Sequence, residues 1–233
     1  MRKLFLCICL LNAFRMVAQI QDCSTGYCPA TITVHHKIGV VAPETVDITY
    51  EVVKNAYSGT TQCWIARNLG ATTVPTSATD NSLTAFGWVW QFGQKRGLKS
   101  DGTNLTPASG WIVGNYTTSG WPASSDPCTL LLGSKWRLPT AAEYSNVITN
   151  AAISTGYTAA FNSTLKFHAG GFASWNSIIR SGEGSLAYYW SSNGNGTING
   201  NALYITNTET KVLVGISGSG CAMPLRCLSS LLP

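Results

Sequence analysis

Few residues in this chain have both the type and the spacing to do chemistry. The densest stretch is KWRLPTAAEY, Lys135 to Tyr144, where Trp136, Arg137, Glu143 and Tyr144 surround a proline. A carboxylate near an arginine could act as a general acid or base, but that work needs a partner carboxylate or base, and none stands here. The spacing favours architecture. Pro139 disfavours helix at Leu138. Thr140 is a good N-cap, and Glu143 three residues later completes a T-x-x-E capping box, a helix start worth on the order of 1 kcal/mol. Arg137 is free to pair with a carboxylate or to cover an aromatic ring. A Ser–His–acid triad needs a histidine, and His168 in FHAGGF has no G-x-S-x-G near it. His35 and His36 are adjacent, so in a strand they face opposite ways, against joint metal binding.

The cysteines come next. Cys7 and Cys9 fall in an apolar start; Cys23, Cys28, Cys63, Cys128, Cys221 and Cys227 follow. An even count in an exported chain favours disulfides, with about 15 possible pairings for six cysteines. Zinc is the rival, but no Cys-x-x-Cys occurs and the histidines stand outside ligand spacing. No metal and no cofactor is expected.

The elements that must position these residues begin after a leader. MRK is basic, LFLCICLLNAF is apolar and Ala18 stands at a small-residue cut, the layout of a secretory signal peptide over 1–18. A membrane anchor needs about 20 apolar residues, and Asn12 and Arg15 interrupt this run. No second long apolar run follows, so no transmembrane segment is expected. Without the leader the chain has 12 basic and 10 acidic side chains. That balance is too slight and too scattered to point to nucleic acid or an anionic membrane.

ATITVHH and TVDITYEVV alternate apolar and polar residues and read as two strands of an N-terminal β extension, 19–57. Trp88 and Trp90 share one face if strand, and are expected in the core with Trp190. Residues 99–127 read as a long ordered loop. CTLLLGSKWRLPTAAEYSNVITNAA holds the best helix. LKFHAGGFASWNSII, LAYYWSSN, ALYITNTETKVLVGISG and CAMPLRCLSS then read as an antiparallel meander. An α+β domain over 58–229 with a short tail, 230–233, is the simplest account.

Six segments in order, CWIARNLGAT, GWVWQFGQKRG, DPCTLLLGSKWRLPTAAEY, LKFHAGGF, YYWSSN and PLRCL, resemble the Fibrobacter succinogenes major paralogous domain of exported Bacteroidetes-type proteins. That family is similar to C-type-lectin-like domains and, more distantly, to the formylglycine-generating enzyme. The resemblance implies a twisted antiparallel sheet, few helices and long surface loops. It implies a Cys128–Cys227 disulfide. Cys23–Cys28 then follows from proximity, and Cys63–Cys221 is what remains.

Three functions are weighed. The first is a non-catalytic binding or adhesion module at the cell surface, reading a glycan or a protein through loop residues Trp175, Asn176, Arg180, Glu183, Asn193 and Asn195. The Glu-Pro-Asn and Trp-Asn-Asp signatures of calcium-dependent sugar sites are missing. The second is self-association into a surface filament or layer by strand addition. The third, a formylglycine-generating-type enzyme, needs a reactive cysteine pair that Cys221 does not find. No enzyme activity is expected.

Overall fold

The computed structural model describes residues 28–55, 57, 61–113, 118, 120–174, 179–195, 199–217 and 221–230. Residues 1–18, read above as a leader, and Cys23 lie outside the described residues.

The chain is mostly strand with few helices. Strand β1 (Thr31–His36) pairs antiparallel with β2 (Val46–Asn55), from Thr31↔Glu51 to His36↔Val46. Burial follows the alternation in sequence. Thr31, Thr33 and His35 face out, while His36, Ile48 and Tyr50 are buried. His35 is open to solvent and bonds Asp47 at 2.6 Å, whereas His36 is 1% exposed. Strand β2 continues into β3 (Gln62–Ile65), which pairs with β14 (Leu228–Ser230), which pairs with β7 (Trp136–Arg137). The N-terminal strands therefore belong to a five-stranded sheet that the C-terminal strand completes.

A six-stranded sheet runs β6 (Leu105–Thr106), β5 (Leu98–Ser100), β4 (Trp88–Gln91), β13 (Ala222–Pro224), β8 (Phe172–Ala173) and β9 (Arg180–Ser181). Strands β10 (Ala187–Asn195), β11 (Asn199–Ile205) and β12 (Thr210–Ser217) form a three-stranded meander. The meander expected of all the late segments is confined to β10–β12. Strands β13 and β14 leave it for the other two sheets, because Pro224 to Cys227 crosses between them.

Strands β3 and β4 are buried along their whole length, since both faces are covered. Trp88, Trp90, Phe92, Trp121, Trp136 and Trp190 share one core cluster, and Trp64, Tyr144, Phe167 and Tyr189 a second. Trp190 is fully buried and donates from Nε1 to the Trp90 carbonyl at 2.9 Å. Each such ring contributes about 1.5–3 kcal/mol or more by burial.

The expected helical segment is two helices around a strand. Helix α2 (Pro127–Leu132) is capped by Asp126, which accepts from the Cys128 and Thr129 amides and, at its other oxygen, from the Leu138 amide at 2.9 Å. Helix α3 (Ala141–Asn150) follows β7. Its start is the capping box: the Glu143 amide donates to Thr140 Oγ1 at 3.1 Å and the Thr140 amide to Glu143 Oε2 at 2.8 Å.

The cysteine pairing differs in part from expectation. Cys128 and Cys227 are bonded, tying α2 to the residue before β14. Cys28 is bonded to Cys63, with 5.5 Å between their Cα atoms, so neither Cys23–Cys28 nor Cys63–Cys221 forms. The β1–β2–β3 register carries Cys28 back to β3 across 35 residues, which nearness in sequence does not reveal. Cys221 stands at the start of β13, in a different sheet from Cys63, as a free thiol that burial pushes up to about 11.

Candidate ligand-binding cleft

The capping box settles what KWRLPTAAEY does. Both Glu143 oxygens are engaged: Arg137 donates to Oε1 at 2.6 Å and to Oε2 at 2.8 Å, and Gln62 Nε2 donates to Oε1 at 2.6 Å. Burial pushes the Glu143 carboxyl up, but Arg137 and the Thr140 amide outweigh it and hold it below its ordinary value. This carboxylate locks β3, β7 and α3 together.

A concave site lies elsewhere, in a cleft of about 390 Å³ lined by Glu44, Gly70, Thr72, Leu83, Thr84, Gly87, Trp88, Lys99, Ser100 and Asp101. Its inner end is built on a cross-strand pair. Trp88 and Lys99 stand directly opposite in the β4–β5 ladder, so their side chains share a face. Both reach one carboxylate: Trp88 Nε1 donates to Glu44 Oε1 at 3.0 Å, and Lys99 Nζ donates to Oε2 at 2.6 Å. Burial raises the Glu44 carboxyl, but the bonds from Lys99 and Trp88 and the Lys99 charge prevail, so it stays below its ordinary value and ionised at neutral pH.

Glu44 arrives on the turn between β1 and β2. The Gly97 amide donates to the Val40 carbonyl at 3.2 Å, and a Cβ on Gly97 would stand 2.2 Å from the Val41 carbonyl oxygen. Only glycine lets that turn lie on the approach to β5. At the floor, Gly70 has φ +80° and a Cβ there would meet the Trp88 ring at 2.1 Å. The Gly70 amide donates to Tyr50 Oη, which also bonds His36 Nε2.

The opposite wall is the short helix α1 (Leu83–Phe86) and the loop before it. Asp80 accepts from the Thr76 and Ser82 amides, and these bonds overcome the effect of burial and hold its carboxyl near about 2. The Thr72 and Thr73 amides both donate to the Thr84 carbonyl.

Of the residues singled out in sequence, Arg180 and Glu183 come together, with Nε and Oε1 3.7 Å apart. The Arg180 guanidinium lies 4.1 Å over the Phe86 ring and donates from Nη2 to the carbonyls of Asn81 and Gly170, clamping the loop that carries the cleft wall. Asn193 stands apart, accepting at Oδ1 from the Ala141 amide at the start of α3. Asn195 ends β10 opposite Asn199. Trp175 and Asn176 lie outside the described residues. Sequence reading missed Glu44, Thr72, Lys99 and Asp101, which come from three separate segments. The one local signal was Trp88, an indole whose N–H needs an acceptor once buried.

Among the described residues no group of three or more His, Cys, Asp or Glu side chains could hold a metal ion, and no helix is long and apolar enough to cross a membrane. Comparisons with family models, with curated proteins and with solved structures found no match to the chain.

Proposed function

We propose that the chain is an exported, non-catalytic binding or adhesion module with a C-type-lectin-like fold, related to the Fibrobacter succinogenes major paralogous domain, and that it acts at the bacterial cell surface on a glycan or protein ligand. The observation that carries this reading is the cleft. Its polar groups are preorganised by bonds to the scaffold, and its volume lies in the range of about 300–1,000 Å³ usual for small-ligand sites. The fold is compatible with the family resemblance, being strand-rich with few helices and closed by strands from both ends of the chain. Two disulfides fit an oxidising compartment. A non-catalytic role is supported by the Cys221 thiol, which burial raises, whereas activated cysteines have lowered values. Arg180 and Glu183 belong to this site as supports of its wall.

One observation favours assembly as a second reading: among the described residues β1 stands at the edge of its sheet, the position at which a neighbour's strand adds. The protein without its leader, labelled and applied to glycan arrays and immobilised surface proteins, separates the two. Saturable binding by discrete monomers supports the module. Polymers in electron micrographs, with no binding, overturn it in favour of the subunit.

A further inference from the structure

We infer that one face of the protein docks on an anionic lipid bilayer, pressing aliphatic side chains into the headgroup layer while three cations meet the phosphates. This goes beyond the binding-module reading, since none of the residues involved lines the cleft. Three segments make the face. The first is the turn between β1 and β2, where Lys37, Ile38 and Val40 are exposed. The second is the loop between β4 and β5, with Lys95 and Arg96. The third is 107–113, which ends in Ile112 and Val113. Arg96 stands where the three meet. The next residue, Gly97, donates its amide to the Val40 carbonyl at 3.2 Å. On the other side the Arg96 stem lies over Gly110, where an added Cβ would stand 2.3 Å from Arg96 Cδ.

The aliphatic groups are held out by bonds to the scaffold. The Gly39 amide donates to the Ala42 carbonyl at 2.9 Å, and the Ile38 amide to Thr45 Oγ1 at 2.9 Å. Gln91 is buried and grips the Ile112 backbone twice: its Nε2 donates to the Ile112 carbonyl at 2.9 Å, and its Oε1 accepts from the Ile112 amide at 2.8 Å. Val113 is 88% exposed and Ile38 62%. Of the eight large apolar side chains exposed among the described residues, Ile38, Val40, Ile112 and Val113 all belong to this face. Apolar exposure gathered in this way marks an interaction site, whereas single exposed residues do not.

Charge selects the partner. Segments 37–43, 91–100 and 107–113 contain no Asp or Glu. Their fourth cation, Lys99, is taken by Glu44. Of the other carboxylates that flank these segments, Asp47 is bonded to His35 at 2.6 Å and Asp101 belongs to the cleft lining. Lys37, Lys95 and Arg96 form no ion pair among the described residues. Cations scattered along the sequence are thus collected by the fold beside exposed aliphatic groups. A protein interface favours aromatic anchors and is depleted of Lys. A single-stranded nucleic acid takes exposed rings for stacking, and the one aromatic of 107–113, Trp111, is half-buried. A membrane surface takes the set found here: apolar groups sunk about 5–10 Å into the headgroup boundary, with Lys and Arg beside them on anionic lipid.

Co-sedimentation with vesicles supplies the test. The exported protein is mixed with vesicles of phosphatidylcholine alone and of phosphatidylcholine with roughly a third phosphatidylglycerol, an anionic lipid. Each Lys or Arg near an anionic surface is worth about fivefold in binding, so the anionic vesicles are expected to bind about a hundredfold more tightly than the neutral ones. Lys95→Gln and Arg96→Gln should each weaken binding about fivefold, on anionic vesicles only. Ile38→Ser and Val113→Ser should each weaken it about tenfold on both kinds. Lys37→Gln stands in for either cation variant that fails to fold. Lys135→Gln, exposed beside β7 at the opposite edge of the sheet from β1, and Val214→Ser on β12 should change nothing. The inference is overturned if neither vesicle is bound, if neutral and anionic vesicles bind alike, or if Lys135→Gln and Val214→Ser weaken binding as much as the variants of the face. It is overturned too if no vesicle is bound and Val113→Ser instead breaks a dimer of the chain seen by sedimentation equilibrium. Array binding that persists without vesicle binding removes this face and leaves the module standing.

Discussion

Replacing Arg226 with methionine should destabilise the whole domain and loosen the floor of the cleft. Arg226 is fully buried, and its guanidinium forms no ion pair with a carboxylate among the described residues. Four hydrogen bonds compensate its charge: Nε to Asn68 Oδ1 at 2.9 Å, Nη1 to the carbonyls of Ile65 at 3.2 Å and Leu165 at 2.6 Å, and Nη2 to the carbonyl of Lys166 at 2.9 Å. The guanidinium also lies 4.7 Å from the Phe167 ring centroid. Methionine fills much of the volume but takes one donor away from each of four acceptors. Each such loss costs about 1–3 kcal/mol before relaxation. Since neighbouring losses do not add, the expected total is about 3–5 kcal/mol, the range seen when a buried charged partner is removed. For a chain of this size that lowers Tm by about 6–20 °C. Urea unfolding followed by tryptophan fluorescence gives the free energy directly. Arg226→Lys is the informative companion: its single ammonium cannot reach all four acceptors on two separate segments, and it should lie within about 1 kcal/mol of Arg226→Met or below it. The effect should reach the cleft, because Asn68 links Arg226 to the Phe86 carbonyl and the next residue, Leu69, donates to Leu225. A methionine variant within about 1 kcal/mol of the parent, with an unshifted Trp88 indole resonance, would refute the reasoning.

Two further outcomes follow from the same structure. His36 and His168 are buried and neutral: burial first, then His35, brings His36 down to about 4, and burial followed by Arg226 brings His168 down to about 3, with Asp47 and Asp80 opposing. The unfolded chain binds these protons more readily, so stability is fully present above the ordinary histidine value near 6.5 and is lost as pH falls towards 4 and 3, by about 1.4 kcal/mol per pH unit for each ring. Urea midpoints between pH 7 and pH 5 should fall, and His168→Gln should flatten the fall; a midpoint independent of pH contradicts the neutral assignment. Non-reducing peptide mapping should link Cys28 to Cys63 and Cys128 to Cys227, and a Cys23–Cys28 peptide would overturn the first pair.

What the sequence determined by itself is what depends on neighbours along the chain. The alternation in TITVHH and VDITYEVV sets which side chains of β1 and β2 turn inward, because the strand period is two. The same period places His35 in solvent and His36 in the core. The T-x-x-E spacing sets the start of α3, because both partners lie within one helical turn. The size and apolarity of Trp88, Trp90 and Trp190 send them inside. Tertiary structure alone decided which distant atoms meet. Glu143 has two further partners besides Thr140, because β3 and β7 bring Gln62 and Arg137 to it. Cys28 finds Cys63 through strand register. Arg226, of a residue type rarely buried in full, is buried where four acceptors converge on it. The cleft joins Glu44 from a turn, Thr72 from a loop, Leu83 from a helix and Lys99 from a strand. No spacing along the chain encodes that meeting, because it depends on how separate segments pack.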